Sequence, residues 1–110
     1  MRLKALLLDA HLDLKYALDA AQQFARIVRE RLVDEFDGWL QAALKSEVVE
    51  VRAFARGISR DYAAILAALQ LPWSNGLLEG HINRLKFLKR QMFGRATFAL
   101  LRFRVLSYGA

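Results

Sequence analysis

Glu79, Asn83, Lys86 and Arg90 follow one another at steps of four, three and four residues, a spacing that lines them along one side of an α-helix. The row reads as an acid, an amide one turn on, then two cations. A carboxylate on a rigid helix is a hard oxygen donor of the kind Mg²⁺ takes. Phosphoryl transfer on DNA uses such donors to hold two divalent ions about 4 Å apart, which activate a water or 3′-hydroxyl and stabilise the leaving oxygen. Cations further along the same face suit the DNA backbone. The row also has a structural use, because an acid in the first turn and cations in the last turns complement the helix dipole. One glutamate is not a site, and spacing alone does not choose between these uses.

Charge bears on the choice once it is located. The net charge is +6 over 110 residues. Residues 1–70 hold ten Lys and Arg against ten Asp and Glu, whereas residues 71–110 hold seven against one, Glu79. All of the excess therefore lies in the last 40 residues, the footprint expected of a nucleic-acid contact. A solvated basic face is the alternative. The chain has no Cys, which excludes a disulfide framework, thiol chemistry and a Cys-based zinc site and fits a reducing cytoplasm.

The elements that must position this row are helical. A hydrophobic fraction of 55% supports a packed core, and one Pro with six Gly leaves little punctuation for strands and turns. Leu14, Ala17, Leu18, Ala21, Phe24, Ala25 and Val28 recur at helical steps and predict a helix over 10–30. A second stripe, Leu32, Phe36, Trp39, Leu40, Ala43 and Leu44, starts near Asp34 and breaks at Ser46. A third helix is expected over 47–70 from Val48 to Leu69, with Gly57 permitting a close helix contact or a bend. Pro72 stops it, and Ser74 or Asn75 can cap the next helix. That fourth helix, over 76–92, turns Leu78, Ile82, Leu85, Leu88 and Met92 inward and ends at Gly94. A last helix over 96–107 presents Phe98, Leu101 and Val105. The expected fold is all-α, with about five helices. The opening residues 1–10 carry too short an apolar run for a signal peptide, and no window approaches the roughly 18 apolar residues of a membrane span.

The run Trp73-Ser74-Asn75-Gly76-Leu77-Leu78-Glu79-Gly80-His81-Ile82-Asn83-Arg84-Leu85-Lys86-Phe87-Leu88-Lys89-Arg90-Gln91-Met92-Phe93-Gly94-Arg95 closely resembles the end of bacterial insertion-sequence transposases of the ISL3 family. Its elements are a Ser-Asn-Gly loop, Glu-Gly, Asn-Arg-x-Lys and Lys-Arg, closed by an aromatic-Gly-Arg. The likeness continues into Phe98–Leu106 and reaches back more loosely through Phe54-Ala55-Arg56-Gly57 and Asp61-Tyr62.

The resemblance implies an Asp-Asp-Glu triad on an RNase H-like fold that binds Mg²⁺, cuts transposon ends and joins the 3′-hydroxyl to target DNA. Glu79 maps onto the third acid, as catalytic residue and metal ligand. Asn83, Arg84, Lys86, Lys89, Arg90 and Arg95 carry over as DNA contacts or supports of the site. Residues 10–70 would correspond to the family's helical region and 73–107 to its basic closing segment, a single truncated domain without the sheet. Nothing here resembles the strands that carry the two aspartates, and Asp61, in a helical stretch, is not promoted to a ligand. His81 is expected to face DNA or solvent rather than a metal.

Three function classes are compatible with these features. The first is part of a transposase, inactive alone for want of the two aspartates. The second is a DNA-binding regulator that competes with or joins intact transposase. The third is a helical bundle with solvated charges. The expected partners are DNA and intact transposase or a second copy, with no membrane and no small-molecule substrate. The expected location is the cytoplasm, associated with the nucleoid. Without a sheet to cover it, the side bearing Trp73, Phe93 and Phe98 is expected to be exposed and to favour self-association.

Overall fold

Long amphipathic stretches with almost no Gly or Pro favour helix over every alternative, and helix is what the chain forms. The computed structural model describes residues 2–73 and 75–107, apart from the side chain of Leu3. Its elements are α1 (Arg2–Glu30), α2 (Val33–Leu44), α3 (Val49–Arg60), α4 (Tyr62–Leu69) and α5 (Gly76–Ser107). No strand occurs among the described residues.

α1 and α5, 29 and 32 residues long, run antiparallel. Leu7 and His11 of α1 line a groove with Phe93 and Leu100 of α5, while Val28 at the other end of α1 meets Leu78 and Ile82. At 1.5 Å per residue the two helices reach about 44 and 48 Å, and the molecule measures 57 × 22 × 21 Å. Its radius of gyration of 16.5 Å exceeds the roughly 13 Å of a compact chain of this length. The excess arises because α2, α3 and α4 cover one end of the helical pair and, among the described residues, 2–8 and 96–107 form a bare two-helix arm.

The covered end holds the core. Phe24 and Phe36 are fully buried. Phe24 lies 4.8 Å from Trp39 and 5.6 Å edge-on from Phe54, ring centre to ring centre, geometries worth about 0.5–1.5 kcal/mol per pair beyond the area they bury. The buried Trp39 indole donates to the Ala20 carbonyl at 3.0 Å, so its one polar atom is satisfied. Ser46 is the expected break between α2 and α3. Its hydroxyl accepts from the Val48 amide at 3.0 Å, and its carbonyl accepts from Arg52 at 2.8 Å.

Three boundaries differ from the sequence expectation. Helix α1 starts at Arg2 rather than near residue 10, because its early apolar residues pack on the far end of α5. The segment 47–70 is two helices, broken at Asp61, whose φ of −103° and ψ of 18° leave helical geometry. Gly94 does not end a helix, and α5 runs through it without interruption. A glycine inside a helix costs about 1 kcal/mol relative to Ala, which the packing of Met92 on one side and Ala96 and Ala99 on the other offsets.

Candidate nucleic-acid interface

Glu79 sits in the first turn of α5, and two devices fix that turn. Asn75 is the cap: its side-chain oxygen accepts from the amides of Leu77 at 2.8 Å and Leu78 at 3.4 Å. The expected alternative cap, Ser74, lies outside the described residues. The second device is Arg31, between α1 and α2, which holds a φ of 58°. That conformation is uncommon without a glycine and closes α1 with a bond from the Leu32 amide to the Ile27 carbonyl at 2.9 Å. Arg31 then donates to the carbonyls of Ala68 at 3.1 Å and Trp73 at 2.6 Å. The end of α1 thus grips the loop that launches α5.

This grip forms a cleft of about 340 Å³ whose polar lining is Arg29, Arg31, Asn75, Glu79 and Asn83 over apolar Val28, Leu78 and Ile82. Glu79 and Asn83 are both exposed and enter it together. Lys86, Lys89 and Arg90 continue along α5, all exposed, with the Arg90 guanidinium 5.6 Å from the Phe87 ring centre. The opposite side of the helix buries Leu78, His81, Leu85, Leu88 and Met92. The polar row is therefore presented to solvent along one side of α5.

Two predicted residues lie elsewhere. Arg84 leans on α3, where its guanidinium occupies the space a side chain at Gly57 would need; a Cβ there would stand 2.9 Å from Nη2. Gly57 thus permits a close contact, as its place in the helix suggests. Arg95 is 16 positions beyond Glu79, about 24 Å along the helix. It pairs with Asp13 at 3.0 Å and Glu50 at 3.2 Å, tying α1, α3 and α5 together where the arm begins.

The expectation for His81 is corrected. It is 3% exposed, and its Nε2 lies 2.9 Å from an Asp61 carboxylate oxygen. That partner satisfies one polar atom of the buried ring and joins α5 to the α3–α4 corner at Asp61. Sequence reasoning missed this pair, and it missed Arg29 and Arg31. The pair and Arg31 rest on contacts between segments distant in sequence, and Arg29 on the cleft where α1 meets α5, none of which periodicity within one helix reveals.

The cleft offers one carboxylate, and among the described residues no three His, Cys, Asp or Glu side chains gather where they could hold a metal ion. No described helix is long and apolar enough to cross a membrane. No curated protein and no solved structure matches the chain. A sequence profile described as transposase, that of the ISL3 family, matches residues 1–105. The match covers α1, the covered core, the Glu79 cleft and α5 as far as Val105, and the chain belongs to the ISL3 family of transposases.

Proposed function

We propose that this chain works on DNA through α5, with Glu79 as the third acid of the family's Asp-Asp-Glu set and Asn83, Lys86, Lys89 and Arg90 along the DNA backbone. The observation that carries the reading is the exposed row on α5, which begins with an acid at a cleft and continues with cations. Family membership supports a role in transposition.

The family's divalent metal does not fit the residues present as a complete site. Glu79 and Asn83 supply hard oxygen donors, but two arginines share their cleft and no second carboxylate lines it among the described residues. Two aspartates must reach Glu79 from outside this helical unit. The chain alone is therefore inactive in strand cleavage and joining, and residues 10–70 and 73–107 act as the helical and basic parts of a larger catalytic domain.

The test is duplex binding across a salt series, followed by a cleavage assay. Three phosphate contacts predict about a 40-fold loss of affinity between 50 and 200 mM salt. Affinity indifferent to salt would sink the DNA reading. Nicking or joining of transposon-end DNA by the chain alone with Mg²⁺, abolished by Glu79→Gln, would sink the claim of inactivity.

A second reading is a regulator that pairs with intact transposase or with itself. The exposed apolar residues of the arm favour it, among them Phe98, which is 66% exposed, and Leu101 and Val105 beside it.

A further inference from the structure

The three arginines at the end of α1 have different fates. Arg26 pairs with Glu35 across the turn to α2. Arg31 spends its guanidinium on the Ala68 and Trp73 carbonyls. Arg29 is exposed and has neither an ion pair nor a side-chain hydrogen bond among the described residues. It nonetheless lines the same cleft as Glu79 and Asn83, on α1 where they are on α5. Glu79, the only acid lining that cleft among the described residues, does not pair with it.

We infer that Arg29 is a phosphate-binding residue of this cleft, seating one backbone phosphate of DNA beside Glu79. The inference rests on the DNA reading of α5 and extends it to a second helix. A guanidinium presents a planar fork of donors that matches two phosphate oxygens at once. The exposed row from Glu79 to Arg90 spans about 16 Å, the length of roughly five nucleotides of one strand at 3.4 Å each. The cations of this row begin only at Lys86, so the row alone puts no cationic side chain at its Glu79 end. Arg29 supplies one. A cation in the last turn of α1 also complements the helix dipole, but that use places no demand on an open guanidinium in the Glu79 cleft.

Salt-dependent binding of the chain to a fluorescein-labelled duplex of arbitrary sequence, without divalent metal, tests the assignment. Arg29→Ala is expected to weaken binding about 3- to 10-fold near 100 mM salt and to reduce the magnitude of the log–log salt slope by about 0.9, one phosphate's worth. Arg29→Lys keeps the slope, and Arg26→Ala, which breaks only the pair with Glu35, leaves it unchanged. Glu79→Gln tightens binding by removing the repelling carboxylate, and this gain shrinks when Arg29 is absent, because the two groups face the same phosphate. If Arg29→Ala leaves the slope intact while Lys86→Ala and Arg90→Ala reduce it, the inference fails and the α5 reading stands. If none of the three changes the slope, that reading fails with it. A fall in melting temperature with no change in slope assigns Arg29 to the dipole alone and also overturns the inference. Should Arg29→Ala not fold, Arg29→Gln, which keeps the aliphatic stem, is read in the same way.

Discussion

The two ends of the α1–α5 pair are built from similar residues and have opposite fates. At one end α2, α3 and α4 close over the pair, and Phe24, Ile58, Ile65 and Met92 are fully buried. At the other end, among the described residues, α1 and α5 face each other alone. Leu6 and Leu8 on α1 and Phe98, Leu101 and Val105 on α5 are each at least half exposed. Helix formation is local and occurs equally at both ends, whereas burial needs a further layer, since two helices side by side cannot cover both of their faces. Stability should therefore be concentrated at the covered end, while the arm holds surface for something else.

The largest expected effect tests that division directly. Phe24→Ala removes a ring that contacts both Trp39 and Phe54 and should cost about 3–5 kcal/mol. That is a large share of the roughly 5–15 kcal/mol available to a small domain. Phe98→Ala on the arm should fall within about 0.5 kcal/mol of the parent. Urea unfolding of both variants at low protein concentration measures the contrast. Equal losses would mean that the arm is covered in solution, and a loss for Phe98→Ala that grows with protein concentration would identify a second copy as the cover.

Next in size is the link between the core and the Glu79 helix. Asp61→Ala leaves the buried His81 ring without its carboxylate partner, and Nδ1 has none already. The expected cost is about 1–3 kcal/mol. The double variant Asp61→Ala with His81→Leu should recover much of it, because an apolar ring-sized side chain has no polar atom to satisfy. A single variant as stable as the parent would show that the pair does not hold α5 to the α3–α4 corner.

These contacts also mark how far the sequence could be read. The period of Phe24, Phe36 and Trp39 announces buried stripes whatever they pack against, so the helices and the core were legible. The polar side of α5 was legible for the same reason, and Glu79, Asn83, Lys86 and Arg90 are exposed as the spacing requires. Gly94 was misread because a glycine's intrinsic penalty is local, while the packing that overrides it is not. Asp61 was misread because its partner, His81, lies 20 residues away and on another helix. Arg29 carried no signal, since its meaning arises only where the end of α1 meets the start of α5.

A smaller effect appears only at high pH. Tyr62, which stacks on Phe36, donates its hydroxyl to Asp37 at 2.6 Å. That hydrogen bond first, then burial, then repulsion by the Asp37 charge raises its pKa above the ordinary 10.0. A raised folded-state value means that the contribution is complete below about pH 10 and is lost as pH climbs through the higher folded value. Melting temperatures of the parent and Tyr62→Phe should therefore converge as pH rises from about 9 to 11. A constant difference across that range would remove the Asp37 bond as its cause.

The smallest expected effect is a gain, and it falls where the covered end gives way to the arm. Gly94 is exposed inside α5, and a Cβ built there meets nothing within 4 Å. Gly94→Ala should stabilise the free chain by about 0.5–1 kcal/mol, through the lower backbone entropy of the unfolded state and better helix propensity. Gly57→Ala should not, because its new methyl group displaces the Arg84 guanidinium and offsets the same helical gain. Gly80, next to Glu79, is as open as Gly94, so Gly80→Ala should also stabilise the free chain. The two open glycines then separate in DNA binding. If DNA lies close against α5 at the cleft, Gly80→Ala weakens binding while Gly94→Ala, roughly 20 Å further along the helix at 1.5 Å per residue, leaves it unchanged. Equal binding by both variants would mean that the backbone at Gly80 is not closely approached, and that the contact begins further along the cationic row.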